Sequence, residues 1–172
     1  MLFDDIEPGL KGQELVMEAW HRRAPGRDFI IPREDFDFGA MACELAHISV
    51  LVSDGDCFRF RLAGTGVIAA FGVEPRGMAP AELDACRGNN CWTELAARAL
   101  ARMQPVSGRT RLADGTIHYW MRLPMSAEGE EPGMVLCHDR FLAPELADDP
   151  DKACKEADRR LRRDTHGLRA AA

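Results

Sequence analysis

Histidine and cysteine are the side chains of this chain best suited to bind a metal, and three of them fall on neighbouring predicted strands. Cys137 and His138 are adjacent in one strand, and His118 lies on the strand before it. Successive strand residues point to opposite faces of a sheet, so Cys137 and His138 cannot both ligate one ion. Cys86 and Cys91 lack the spacing of a redox pair or a zinc motif. The sequence therefore predicts packed thiols and hydrogen-bonded histidines here, and no metal site.

The hydroxyl groups do not assemble a nucleophilic site. None of the serines in predicted strands or loops lies in a G-x-S-x-G turn, which would expose a nucleophile between a strand and a helix. Asp139 follows His138 directly and so points to the opposite face of the same strand. The glycine-rich stretch 64–72 lacks the G-x-G-x-x-G spacing of a dinucleotide loop and reads as a turn. The serines considered are Ser49, Ser53, Ser107 and Ser126. We predict no catalytic residue.

Arginines recur on the predicted strands and raise the question of an anion-binding surface. Alternation puts each pair on one face of its strand, where a solvated sheet face with acidic neighbours is the simpler interpretation. An anion-binding or acidic-partner surface is the alternative. The arginines are Arg59 and Arg61, Arg109 and Arg111, and Arg122.

Composition and charge limit the classes of function. The chain has 172 residues, of which 46% are hydrophobic and 29% charged, values typical of a globular domain. Its net charge of −6 opposes non-specific binding to nucleic acid or to an anionic membrane. The acidic N-terminal segment does not resemble a signal peptide, and no apolar stretch is long enough to span a bilayer. We expect a cytoplasmic protein with reduced cysteines and no nucleic-acid or membrane partner.

The predicted elements alternate between helical and strand periodicity. Apolar residues at helical spacing predict an amphipathic helix over 12–23, which must bury its stripe against the core or against a second copy. Phe38, Met41, Ala42 and Leu45 predict a second helix that starts near Pro32. Further helices are expected over 67–71, with Thr65 as its N-cap, and over 91–103, with only short helical turns between them.

Five strands are predicted, over 48–53, 57–62, 106–112, 116–123 and 134–141. In the second strand Phe58, Phe60 and Leu62 share one face and Arg59 and Arg61 the other, which is typical of a half-buried antiparallel sheet. The order indicates an α+β domain with a single antiparallel five-stranded sheet, flanked by helices and preceded by an N-terminal amphipathic helix.

Three groups of residues, in this order and spacing, resemble a bacterial family of small stand-alone PAS-like proteins that is common in alphaproteobacteria. The resemblance covers residues 13–141. It departs at Phe38, where the family usually has a proline, and at the bulky His118–Trp120 strand. The first group is WHRR at 20–23 followed by IPREDFD at 31–37; the second is FRLAGT at 60–65 with FG at 71–72 and RG at 76–77; the third is LPMSAEG at 123–129.

The resemblance implies a sensory or regulatory module that acts through protein–protein contacts and catalyses nothing. We predict an N-terminal helical extension (1–30), a PAS-like domain (31–142) and a C-terminal tail (143–172) that its charged composition marks as exposed. The N-terminal helix is expected to pair two copies into a homodimer, and a signalling protein is the expected partner. Similar PAS domains bind small molecules between sheet and helices; here Phe58, Phe60, Ile68, Phe71, Leu95 and Leu136 would line that space.

Two alternatives remain open at this point. A small α+β cone-fold enzyme of the ketosteroid-isomerase kind would have its helices mainly before the sheet, and an Asp–His pair in an open pocket would favour it. A ligand-free adaptor would fill its core with the same apolar side chains. The residues do not identify a ligand, and the cofactor is unknown.

Overall fold

We describe the protein from a computed structural model that covers residues 9–23, 31–33, 36–55, 57–87, 91–126, 132–146 and 149–170. Side chains of 84–87, 91, 132, 146 and 161–170, which include Cys86, Cys91 and His166, lie outside the described part. The helices are α1 (Lys11–Arg23), α2 (Thr65–Phe71), α3 (Pro80–Arg87), α4 (Cys91–Arg102) and α5 (Pro150–Ala170). The strands are β1 (Ile31–Pro32), β2 (Ile48–Asp54), β3 (Cys57–Ala63), β4 (Val106–Arg111), β5 (Ile117–Ser126) and β6 (Pro132–Leu142).

The main sheet has the strand order β4-β5-β6-β2-β3, and all four of these pairings are antiparallel. The predicted α+β fold is confirmed: helices α2 to α4 lie between the β2–β3 hairpin and the β4–β5–β6 meander. One detail differs, because the two-residue strand β1 adds a short parallel pairing to β5. The helices interrupt the sheet rather than precede it, so the cone-fold alternative does not describe this chain.

Both faces of the sheet are covered. One face, called here the helix face, packs against α2, α3 and α4 through Leu51, Phe60, Val67, Leu83 and Trp92. The other, called here the α1 face, packs against α1 and the segment that follows it. Strands β5 and β6 are therefore buried on both sides, and their alternate residues enter two separate cores.

Helix α1 buries its apolar stripe against the sheet of its own chain. Val16 and Trp20 are fully buried in the same cluster as Leu123 and Met125 of β5. The Trp20 indole donates a hydrogen bond to the Pro124 carbonyl at 3.3 Å. Val16 and Trp20 therefore have no exposed surface to offer a second copy, whereas Leu15 and Met17 of the same helix are only half-buried. Pairing of two copies through α1 stays a prediction.

The prediction of a helix that starts near Pro32 is wrong. Two 3-10 turns, Phe38–Met41 and Leu45–His47, occupy this segment, and Ile31–Pro32 forms β1 instead. The Asp37 carboxylate accepts from the backbone N–H groups of Gly39 and Ala40 and starts the first turn. The break leaves Leu45 exposed, but it turns Glu44 inward toward the sheet. Only the Phe38 and Met41 part of the predicted stripe packs against the core.

A β-bulge changes the face of Leu62. Val50 lies opposite Leu62, but the next residue, Leu51, lies opposite Phe60, so Arg61 is the extra residue. The bulge moves Leu62 to the side of Val50 and leaves it 38% exposed. The prediction that Leu62 shares the face of Phe58 and Phe60 is therefore wrong.

Gly64 is required where β3 turns into α2. A Cβ atom there would lie 2.2 Å from the Leu45 carbonyl oxygen and 2.5 Å from that of Ala46. Gly64, and not Thr65 as predicted, is the N-cap of α2, without a side-chain hydrogen bond. Gly72 ends the helix with a φ of 71°, in the left-handed region that glycine adopts readily.

The strand predicted over 116–123 continues to Ser126, and Pro124 lies within it. Pro124 lies between the part of β5 that pairs with β4 and the part that pairs with β1, so its missing N–H interrupts neither pairing. Among the described residues, no helix is both long and apolar enough to cross a bilayer.

The C-terminal segment is more than an exposed tail. Helix α5 docks near β6 and buries Ala153 and Cys154 beside Leu10, Ile117 and Leu142. Its residue Asp151 accepts a hydrogen bond from the backbone N–H of Lys11 at 2.9 Å. The first half of α5 is therefore tied to the α1 face.

Candidate functional site

The helix face contains a buried charged cluster, called here the Asp139 cluster, formed by His118, Arg122 and Asp139. Asp139 lies opposite Trp120 in the β5–β6 pairing, and His118 and Arg122 flank that residue two positions away on the same face. Alternation alone thus brings both basic side chains to the carboxylate. Their side chains are 1%, 0% and 0% exposed, so the cluster is sealed from solvent.

The contacts within the Asp139 cluster are short and satisfy both carboxylate oxygens. Arg122 Nη1 donates to Oδ2 at 3.1 Å and Arg122 Nη2 donates to Oδ1 at 2.9 Å, which is a bidentate pair. His118 Nε2 donates to the same Oδ1 at 2.6 Å. Arg122 Nη1 also donates to the Met121 carbonyl at 2.8 Å. A buried charge is tolerated only with such compensation, and here it is extensive.

Aromatic rings enclose the cluster on its helix side. The Arg122 guanidinium lies 4.3 Å from the ring centroid of Trp92 on α4. His118 stacks on Phe141 with a centroid distance of 4.3 Å and an interplanar angle of 13°. Phe71 of α2 contacts both Trp92 and Phe141 at 5.9 and 5.8 Å. The polar cluster of the sheet is therefore joined to α2 and α4 through ring contacts.

The six residues predicted to line a pocket do not all share one space. Phe58, Phe60 and Leu95 are buried in the helix-face core, and Phe71 packs half-buried against it. Ile68 is half-buried on α2. Leu136 lies in the α1-face core, because β6 alternation directs Val135 and Cys137 to the helix face instead. Placing Leu136 with the other five was therefore wrong; their role in binding a ligand stays a prediction.

Sequence reasoning grouped Arg122 with the arginines of a solvated sheet face, and this was wrong for Arg122 alone. Arg59, Arg61, Arg109 and Arg111 are exposed, and Arg59 pairs with Asp54 at 2.8 Å. The signal for Arg122 was present in the sequence as the shared face of His118, Trp120 and Arg122. Asp139 was recognised as turned away from His138, but its true partner on the other face was missed.

A second charged cluster lies on the α1 face, called here the Asp158 cluster: Glu44, His47, His138, Arg140 and Asp158. Glu44 Oε2 accepts from His138 Nε2 and from Arg140 Nη2, both at 2.8 Å. Asp158 of α5 accepts from Arg140 through two N–H groups and from His47 Nε2 at 2.9 Å. Nothing in the sequence around His47 points to Asp158 as its partner, because the two residues are 111 positions apart. The cluster joins β6, a 3-10 turn and α5.

Burial and pairing oppose each other in setting the pKa values of this cluster. Burial alone would raise the pKa of Glu44, but the hydrogen bonds and charges of His138 and Arg140 lower it. Burial would likewise raise the pKa of Asp158, and His47 and Arg140 lower it far below its ordinary value. Burial lowers the pKa of His138 despite its bond to Glu44. Burial raises the pKa of the Cys154 thiol to about 11.

The clusters do not have the arrangement of a metal centre. Within the described part of the chain, no group of three or more His, Cys, Asp or Glu side chains is placed to hold a metal ion. Cys137 and His138 point to opposite faces, as alternation predicts, into the helix-face core and the Asp158 cluster respectively. A shallow surface cavity of about 240 Å³ lies elsewhere, between α1 and the first 3-10 turn, lined by Ala19, Arg22, Arg23, Asp37 and Ala40.

Comparison with known proteins gives a match to a family model but none to a curated protein. A family model described as a PAS domain matches residues 11–123, which include α1, the hairpin, the intervening helices and β4 with most of β5. Since the match covers more than half of the chain, this protein belongs to the PAS domain family.

Proposed function

We propose that this protein is a regulatory PAS module that acts through contacts with other proteins and catalyses no reaction of its own. Membership of the PAS family supports a sensory or regulatory role. The observation that carries the proposal is the Asp139 cluster, a buried ion pair that contacts the helices through Trp92 and is sealed from solvent.

The Asp139–His118 pair has the composition of an acid–base dyad but not its setting. General acid–base catalysis requires a substrate within hydrogen-bond reach of the histidine. The Nε2 atom of His118 is engaged with Asp139, its ring lies against Phe141, and its side chain is 1% exposed. A buried and satisfied pair of this kind favours a structural and regulatory role over proton transfer to a substrate.

Buried ion pairs are also well suited to define alternative packings. A satisfied pair in a low-dielectric core holds one arrangement of its neighbours, because any arrangement that separates the charges leaves them unpaired. Arg122 contacts Trp92 on α4, so a shift of the helices against the sheet changes the surroundings of the charge. A signal that favours one of two packings would thereby alter the surface that a partner contacts.

The remaining parts of the proposal concern ligand, assembly and location. Phe60 and Phe71 contact Trp92, and Phe71 contacts Phe141, on the side of the sheet where a small molecule was expected; these contacts favour an adaptor whose core is filled by its own side chains. A bound small molecule, bacterial origin and a cytoplasmic location stay predictions from the sequence. A homodimer through α1 also stays a prediction, and it would use side chains other than the fully buried Val16 and Trp20.

Partner capture with matched variants tests the proposal. Three full-length proteins are immobilised: wild type, the double variant Arg122→Met/Asp139→Leu and the surface control Asp54→Asn. Each captured protein is then purified, and its Kd for all three is measured. We expect a partner whose Kd differs at least about tenfold between wild type and the double variant, with no change for Asp54→Asn. Equal binding by all three, or no partner that survives purification, would contradict the proposed function. Native mass spectrometry of the purified protein distinguishes a sensor with a retained ligand from an adaptor without one.

A further inference from the structure

The two edges of the main sheet differ in how far the chain itself covers them. At β3, the Phe60 N–H donates to the Met78 carbonyl at 3.0 Å, and the Phe60 carbonyl accepts from the Gly77 N–H at 2.8 Å. At the other edge, β5 is the strand of the described ranges that pairs with β4. The backbone groups of an edge strand can pair with a further strand. The edge formed by β4 is therefore the better candidate for strand addition.

The turn between β4 and β5 determines which backbone groups of β4 point outward. The Leu112 N–H donates to the Thr116 carbonyl at 2.8 Å, so these two residues form a hydrogen-bonded pair. Hydrogen-bonded and non-hydrogen-bonded pairs alternate along an antiparallel ladder. Arg111 and Arg109, which lie one and three positions before Leu112, therefore fall in non-hydrogen-bonded pairs with β5. Their N–H and carbonyl groups point away from β5, toward the outer edge.

The side chains at these two outward positions are basic and lie on the α1 face. Arg109 and Arg111 are both exposed, opposite Tyr119 and Ile117 of the buried cluster beside α5. A residue of an added strand that pairs with either arginine would bring its Cβ atom to within about 4.5–5.5 Å on the same face. Two β4 strands paired in register would place arginine opposite arginine, which is unfavourable. Charge complementarity therefore favours an acidic segment over a second copy.

The helix face of the same edge presents an aromatic ring. Gly108 lies opposite Trp120, and a Cβ atom on Gly108 would lie 2.7 Å from Cζ2 of the indole. Trp120 Nε1 donates to Thr110 Oγ1 of β4 at 3.1 Å. The indole therefore extends from β5 across β4, and Trp120 is only half-buried. An apolar side chain of an added strand, placed beside Gly108, would remove further indole surface from water.

We propose that the β4 edge is a docking site for an extended segment of another protein in which acidic and apolar residues alternate. The acidic side chains would lie beside Arg109 and Arg111, and the apolar ones beside Gly108 and Trp120. Trp120 lies opposite Asp139, so the docked segment would contact a side chain that borders the Asp139 cluster. The inference rests on the proposed function in one respect, that this module binds another protein.

Amide exchange of the full-length chain, resolved by nuclear magnetic resonance, tests the site with three capped peptides. The probe is GEVEVEG; GKVKVKG reverses its charges, and GEEEVVG keeps its composition without the alternation. We expect the Kd of GEVEVEG to be at least about tenfold lower than that of GKVKVKG and about threefold lower than that of GEEEVVG.

The pattern of protection identifies the mode of binding. In the free chain the amides of Arg109 and Arg111 should exchange fast, and those of Gly108 and Thr110, which bond to β5, should exchange slowly. GEVEVEG at about ten times its Kd should slow the exchange of Arg109 and Arg111 by about tenfold. Arginine amides that are already protected in the free chain would overturn the proposal, because the edge would then be occupied by the chain itself.

Matched variants separate the contributions of charge and backbone. Arg109→Glu/Arg111→Glu should bind GKVKVKG in preference to GEVEVEG, while Arg61→Glu, at an exposed arginine of β3, should behave as wild type. Arg111→Pro and Arg111→Gln lose the same charge, but proline also lacks the outward N–H, so it should bind GEVEVEG at least about threefold more weakly than glutamine.

No binding of GEVEVEG, or equal Kd values for GEVEVEG and GKVKVKG, would overturn the docking site. A partner purified by capture that binds wild type and Arg109→Glu/Arg111→Glu equally would also overturn it, while the proposed function would stand. Conversely, peptide binding in the expected pattern without any partner that survives purification would contradict the proposed function and leave the edge site in place.

Discussion

Replacing Asp139 by asparagine should destabilise the protein strongly although the change is isosteric. The wild-type carboxylate accepts two N–H groups from Arg122 and one from His118, at 2.6 to 3.1 Å. Asparagine offers a single carbonyl oxygen, and its amide group would face donors. The substitution therefore leaves a buried guanidinium without its counter-charge, which typically costs about 3–5 kcal/mol of the free energy of unfolding.

A matched double variant separates the net contribution of the ion pair to stability from the destabilisation caused by leaving one charge unpaired. Arg122→Met with Asp139→Leu removes both charges and keeps the core filled, and such replacements are often neutral or stabilising. His118 loses its acceptor in this variant, so we expect stability within about 1–2 kcal/mol of wild type. Asp54→Asn removes the carboxylate of the Arg59 pair, whose side chains are 61% and 51% exposed, and should have no measurable effect.

Urea unfolding at pH 7, followed by far-ultraviolet circular dichroism, is the assay. With a slope of about 2 kcal/mol per molar urea, Asp139→Asn should lower the midpoint by roughly 1.5–2.5 M. An Asp139→Asn protein within about 1 kcal/mol of wild type would refute the reasoning. So would a double variant that is as unstable as the single one, because the loss would then come from packing rather than from an uncompensated charge.

Three other substitutions test the fold and the charged cluster of the α1 face. Gly64→Ala should lower the free energy of unfolding by about 1–3 kcal/mol, because the added Cβ would overlap the Leu45 carbonyl. The control Gly55→Asn lies at a φ of 64° with open space around it and should be tolerated. A Gly64→Ala protein as stable as wild type in urea titration would contradict this prediction. Trp20→Asp should lower the free energy of unfolding by at least about 3–5 kcal/mol, and Glu14→Gln on the exposed side of α1 is the control. A Trp20→Asp protein of unchanged stability that only shifts a dimer equilibrium in ultracentrifugation would instead favour a role of Trp20 in the dimer. Burial lowers the pKa of His138, so below about pH 6.5 the unfolded chain takes up a proton at this residue and the folded chain does not. From pH 7 to 5.5 the wild type should therefore lose stability relative to His138→Gln by up to about 1.4 kcal/mol per pH unit. Parallel pH profiles of the two proteins would show that His138 is not the cause.

The sequence predicted the elements well where one periodicity dominated. Trp20 and its neighbours identified α1, and the alternation of Phe58 and Phe60 identified β3. The bulge at Arg61 was not predicted, because one extra residue in a hairpin does not change the composition of the strand. The helix predicted over 38–45 failed for a long-range reason: Glu44 turns inward to His138 and Arg140, which lie 94 and 96 residues away.

The candidate site was harder to predict than the fold, because β5 and β6 are buried on both faces. On a strand with one solvated face, an arginine can be assigned to the solvent side. Arg122 lies on a strand in which nearly every residue is buried, so its polarity carried no such information. Its partner Asp139 was known to face away from His138, but the face it entered depended on where α4 packs.

The central claim is that the Asp139 cluster couples the helix layer to the sheet, and hydrogen exchange across the whole chain of Asp139→Asn tests it most directly. We predict that exchange accelerates more in α4, whose Trp92 covers Arg122, and in β5 and β6 than in α1 on the opposite face. An equal loss of protection in α1 and α4, or an unchanged α4, would contradict the claim.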